Sequence, residues 1–143
     1  MQTAIRTVPA AKSASWAGHL VSAPAVLFLL LDGAMKLAAP APVVQASAAL
    51  GLSGSVLPGL GVLLLACLFV YLVPRTAVFG AVLLTGYLGG AVATHVRVGL
   101  EPVSLAFPLV LGALLWGGLW VRDARLRALL SRLTETQPSV TRR

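Results

Sequence analysis

Four ionisable side chains, Asp32, Lys36, His95 and Arg97, stand in or beside runs of apolar residues. A charge at the centre of a membrane helix costs about 3 kcal/mol, so each of these groups needs a partner or a task. Asp32 and Lys36 are four positions apart, about 40° around a helix, with the acid on the N-terminal side, which is the favourable order for an ion pair. They are expected to neutralise one another. Tyr87 and Thr94 share a helical face, with Ala91 between them and His95 on the flank. Asp32, Lys36, Tyr87, Thr94 and His95 are therefore the candidate lining of a polar pocket. Arg97 follows His95 by two positions and points about 200° away, so it is expected to snorkel or to pair with Glu101 rather than join that pocket.

Other chemistries find little material. A haem needs two ligands, but His19 and His95 fall near opposite ends of a spanning bundle, roughly 20 Å apart at 1.5 Å per residue. Two histidines without a carboxylate cluster make a poor zinc site, so no haem or metal is expected. The one cysteine, Cys67, lies inside an apolar run, which rules out an internal disulfide or a CxxC pair and leaves it a packing role.

The elements that must position these residues follow from composition. Of 143 residues, 58% are hydrophobic and 10% charged, too apolar a balance for a soluble domain. Spanning helices need about 20 apolar residues each, and four such stretches fill nearly the whole chain. The spans are expected at residues 16–37, 56–73, 76–98 and 103–121. The fold class is all-α, a transmembrane four-helix bundle. Residues 1–15 form an N-terminal tail, and residues 122–143 a basic C-terminal helix and tail. Pro40 and Pro42 stop the first span and Pro74 the second. Between them Val43 to Leu50, closed by Gly51, reads as a short helix on the outer interface, with Val43, Ala46 and Leu50 on one side. Trp16, Tyr71 and Trp120 mark the cytoplasmic boundary as an aromatic belt. A secretory signal peptide is a rival reading of the first apolar run, which Asp32 and Lys36 interrupt.

The formal charge is +7. On this topology Arg6, Lys12, Arg75, Arg122, Arg125, Arg127, Arg132, Arg142 and Arg143 share one side, against Lys36 and Arg97 on the other. Both termini are therefore expected in the cytoplasm, with the chain in the plasma (inner) membrane. No basic, aromatic-interleaved patch is left over for nucleic acid. Beyond the last span, Leu126, Leu129, Leu130 and Leu133 repeat at helical spacing, and Arg122, Arg125 and Arg132 are expected to meet lipid headgroups. In the third span Gly86 and Gly90 have small-xxx-small spacing, which would let another helix approach closely.

Three stretches carry a resemblance: GAMKL closing the first span, LPGLGVLLL opening the second, and VPRTAVFGAVLLTGYLGGAVATHVRVG through the third. They resemble the DoxX-like family over about residues 16–127. The resemblance implies a small four-helix membrane bundle. Relatives include a subunit of a quinone-linked thiosulfate-oxidising complex, whereas more distant thiol-handling relatives use paired cysteines that this chain lacks.

The residues leave three functions open. One is a ligand-binding or accessory subunit, with a quinone as ligand and a redox subunit or a second copy as partner. Another is a structural or assembly protein in which the same polar groups bond between helices. The third is a membrane-embedded isomerase-type enzyme using His95 as proton carrier, oriented by Asp32 or Tyr87. A pump or channel is disfavoured, because no span carries a repeated line of ionisable residues.

Overall fold

The computed structural model describes residues 10–99 and 102–135, which form six α-helices and no strand. Helix α1 spans Ala10–Ala38, and a backbone turn through Ala39, at the left-handed φ of 43°, leads into α2, Ala41–Ala49. Gly51, at φ 74°, ends α2: its N–H donates to the Ala48 carbonyl and that of Leu52 to the Ser47 carbonyl. Glycine adopts that conformation without a Cβ penalty, which is why the helix stops there. A 3₁₀ turn, Gly54–Val56, opens α3, Leu57–Leu72. A tight turn through Pro74 and Arg75 reverses the chain into α4, Ala77–Arg97, and α5, Pro102–Arg122, runs back. Helix α6 covers Ala124–Glu135.

Four of these helices, α1, α3, α4 and α5, are long and apolar enough to cross a membrane. They form a closed ring in which α1 packs on α3 and α5, and α4 packs on α3 and α5. The outward surface is apolar, with Leu27 and Phe69 both more than two-thirds exposed. Lipid is the solvent that such a surface requires.

The core is lopsided. Ala25 and Leu29 of α1 meet Leu64, Leu68 and Tyr71 of α3, Ala77, Ala81 and Leu84 of α4, and Leu115 and Leu119 of α5. Chain direction places these residues in the half of the bundle nearest the α3–α4 turn. At several points the helices come close enough for backbone contact. A Cβ at Gly18 would sit 2.5 Å from the Gly118 carbonyl oxygen, and one at Gly61 would sit 2.9 Å from the Gly33 carbonyl oxygen. A Cβ at Gly80 would run into the Tyr71 backbone. Gly86, Gly89 and Gly90 differ: a Cβ at any of them would meet nothing within 4 Å. Close approach inside the bundle thus uses other glycines than the pair singled out by spacing.

Other expectations are corrected. Helix α1 begins at Ala10, but its membrane-spanning part is Trp16–Ala38, as expected at its start. Tyr71 is fully buried and belongs to the core, not to an aromatic belt. Its hydroxyl donates to the Leu115 carbonyl at 2.8 Å, satisfying an interior phenol that lipid could not. Trp16 and Trp120 are exposed, as belt residues are. Beside Tyr71 lies Arg122, half-buried. Its guanidinium lies 4.7 Å from the Tyr71 ring centroid and donates to the Tyr71 carbonyl at 3.3 Å.

The C-terminal helix is a separate element, because Asp123 interrupts it. Its carboxylate accepts from the backbone N–H groups of Arg125 and Leu126, capping α6. Arg127 reaches back to the Trp120 and Val121 carbonyls at the end of α5. Leu126 packs on the core, while Leu129, Leu130 and Leu133 lie outside the described side chains. So do residues 1–9, Glu101 and residues 136–143, which carry the N-terminal tail, the Arg97–Glu101 pairing and the end of the chain.

Candidate functional site

The end of the ring opposite the α3–α4 turn is hollow. Where α4 carries Gly86, Gly90 and Ala91, side chains do not fill the space between it and α1, and a cavity of ≈ 760 Å³ results. Small residues here make room instead of a seam. Phe28 and Phe107, with ring centroids 4.8 Å apart at an interplanar angle of 77°, join α1 to α5 along its wall. Leu60 and Leu63 of α3 and Leu88 and Leu111 of α4 and α5 complete an apolar lining.

All five residues picked from the sequence, Asp32, Lys36, Tyr87, Thr94 and His95, line this one space. They come from α1 and α4, which lie across the ring from each other. The Lys36 ammonium donates to both oxygens of the Asp32 carboxylate, the expected pair, and the two side chains are 18% and 29% exposed. Arg97 stays out of the cavity and lies beside Gly51 at the end of α2.

Two of the polar groups are held by their own helix. Thr94 Oγ1 donates to the Gly90 carbonyl at 2.8 Å, and His95 Nδ1 lies 2.7 Å from the Ala91 carbonyl oxygen. A carbonyl can only accept, so Nδ1 carries the proton, and in the neutral ring Nε2 is left as an acceptor. The site therefore offers an ion pair, a phenol, a hydroxyl and an imidazole acceptor within an apolar enclosure. Those groups can bind and orient a polar ring or pass a proton. Among the described residues no three His, Cys, Asp or Glu side chains gather as metal ligands.

Reading the sequence missed part of the wall. Helix α2 contributes Val43, Ala46, Ser47 and Leu50, so the side expected to lie on the outer interface borders the cavity. Ser104, Phe107 and Pro108 of α5 also line it, as does Cys67, which is buried. Phe28 was within reach of inspection, being one helical turn before Asp32 on the same face. The α5 residues carried no polar pattern to betray them. A separate contact, the Trp116 indole N–H donating to Thr85 Oγ1 at 2.9 Å, ties α5 to α4 and likewise had no local signal.

Neither a curated protein nor a solved structure matches the chain. The model of the DoxX-like family matches residues 20–118, which run from α1 through most of α5 and leave α6 outside. That match covers well over half of a chain whose four apolar helices make it a multi-pass membrane protein, and the chain belongs to the DoxX-like family.

Proposed function

We propose that this is a protein of the plasma (inner) membrane with both termini in the cytoplasm, whose hollow end binds a small lipophilic ligand of the quinone class in the service of a redox partner. The observation that carries the reading is the convergence of five polar residues from two opposed helices on one largely apolar cavity. Its volume of ≈ 760 Å³ falls within the roughly 300–1,000 Å³ of small-molecule sites, which are likewise apolar with a few placed polar groups. Lys36 and Tyr87 are donors for ring carbonyl oxygens, and the Nε2 atom of His95 is an acceptor for a ring hydroxyl. The charge count, nine basic residues against two, supports the orientation. Arg125 and Arg132 of α6 are both exposed, which supports a role at headgroups on the cytoplasmic face.

The test is purification with native lipids. A bound quinone detected by mass spectrometry, and a rise in thermal stability on adding quinone, are the expected results. If native mass spectrometry finds no ligand and no quinone shifts the unfolding temperature, the reading fails. Reporter fusions at Met1 and Arg143 should both report the cytoplasm.

A second reading is a structural or assembly protein. It is favoured by the hydrogen bonds themselves, since Asp32 and Lys36 satisfy each other and Thr94 and His95 bond to their own helix without any ligand. On that reading the cavity binds nothing and the open surface at Gly86 and Gly90 receives another chain. Leucine at both positions would then break up the oligomer on native gels.

A further inference from the structure

The opposite end of the bundle holds a second cavity, of ≈ 530 Å³, where α1, the α3–α4 turn and the α5–α6 junction meet. His19 of α1, Arg75 of the α3–α4 turn, Arg122 of α5 and Arg125 of α6 converge on it. We propose that this cavity is a binding site for the phosphate group of an anionic phospholipid.

The lining carries more positive than negative charge. Among the described residues the one carboxylate on the cavity is Asp123, whose Oδ1 accepts from the Arg125 and Leu126 backbone N–H groups at 2.8 and 3.3 Å. Among the described residues no ion pair joins Asp123 to Arg75, Arg122 or Arg125. Three guanidinium groups thus share one hollow with a single carboxylate, an excess of positive charge. Such a cluster is unfavourable unless an anion enters it, and the planar fork of donors on arginine matches phosphate oxygens.

One of the three is fixed in advance. The Tyr71 ring and carbonyl hold Arg122 in place, which lowers the entropy lost when an anion binds. His19 adds an imidazole beside them.

The remaining lining selects the source of the phosphate. Leu119, Leu126, Ala77 and Val78 give the cavity an apolar side, suited to the glycerol and first methylenes of a lipid and of no use to inorganic phosphate. The cavity also lies where the lipid-facing surface of the bundle meets the amphipathic α6, the level at which headgroups sit. Because α6 supplies Arg125 and Leu126, a bound lipid would pin this helix against the bundle.

The experiment uses the full chain, delipidated in detergent and titrated with phosphatidylglycerol, phosphatidylcholine or sodium phosphate, with adducts counted by native mass spectrometry. Phosphatidylglycerol should bind as a single tight adduct and phosphatidylcholine should not. Removing two arginines in R75A/R125A should weaken that adduct about thirtyfold, and added salt should weaken it further. R75K/R125K should retain part of the affinity, and R97A, at the other end of the bundle, should retain all of it. Arg75 and Arg125 are exposed, so their loss leaves the core intact, which circular dichroism will verify. Equal uptake of the two lipids, or an adduct of unchanged strength in R75A/R125A, would overturn the site. Displacement of phosphatidylglycerol by millimolar sodium phosphate would overturn its assignment to lipid.

Discussion

Alanine in place of glycine separates two kinds of small-residue position in this bundle, because the same methyl group meets backbone at one and open space at the other. A Cβ at Gly118 would lie 2.6 Å from both the Gly18 carbonyl oxygen and Ser22 Cβ, and 3.0 Å from the Ser22 nitrogen. Ordinary contact begins near 3.4 Å, so α1 and α5 must part by most of an ångström. No side chain can rotate away to absorb the shift, and Gly118→Ala should therefore cost about 3 kcal/mol, the upper end for overpacking. At Gly90 nothing lies within 4 Å, and Gly90→Ala should gain up to about 1 kcal/mol from helix propensity. The gap of about 4 kcal/mol corresponds to roughly 10–15 °C in unfolding temperature for a chain of this size. Cys67 provides the assay, since the only thiol in the chain is buried and becomes reactive to a fluorogenic maleimide when the bundle opens on heating. Should Gly90→Ala unfold as early as Gly118→Ala, or Gly118→Ala as late as the parent, the placement of helix contacts would be refuted.

Three further outcomes follow from the same geometry. Gly90→Leu should narrow the cavity without disturbing its neighbours, abolishing any quinone-induced stabilisation while leaving the unliganded unfolding temperature near the parent value; a retained ligand shift would count against the cavity as the binding site. Asp32→Ala strands Lys36 in a half-buried position and should cost about 2–3 kcal/mol, with most of it recovered in D32A/K36A. Simple additivity in that double-mutant cycle would show that the pair is not coupled. Tyr71→Phe removes the hydrogen bond to the Leu115 carbonyl and should cost about 1–2 kcal/mol, read as earlier labelling of Cys67, whereas unchanged stability would mean that the bond contributes nothing.

Features confined to one helix are legible in the amino-acid sequence. The Asp32–Lys36 pair needs only a single helix and one turn of spacing, and the structure contains it. The hydrophobic stripe of Val43, Ala46 and Leu50 is visible too, although its destination is not, because the wall it completes is built by four other helices. Gly86 and Gly90 show the limit most clearly. Their spacing matches that of Gly18 and Ser22, yet one pair borders a void and the other a backbone contact. Spacing reports which residues share a face and says nothing of what that face meets. Tyr71 was misplaced for a related reason: a phenol near a span end suits either the headgroup region or the interior, and only the Leu115 carbonyl decides between them.

The number, length and ends of the spanning helices were determined by sequence alone, since lipid forces each crossing segment to be a contiguous apolar run that satisfies its own backbone hydrogen bonds. Which side of each helix faces its neighbours was decided only in three dimensions. Lipid tails are as apolar as the protein interior, so Leu63, which is 52% exposed, and Leu64, which is fully buried, satisfy the same compositional rule. That Asp32 and Tyr87 line one cavity, and Arg75 and Arg122 another, depends on that choice of faces.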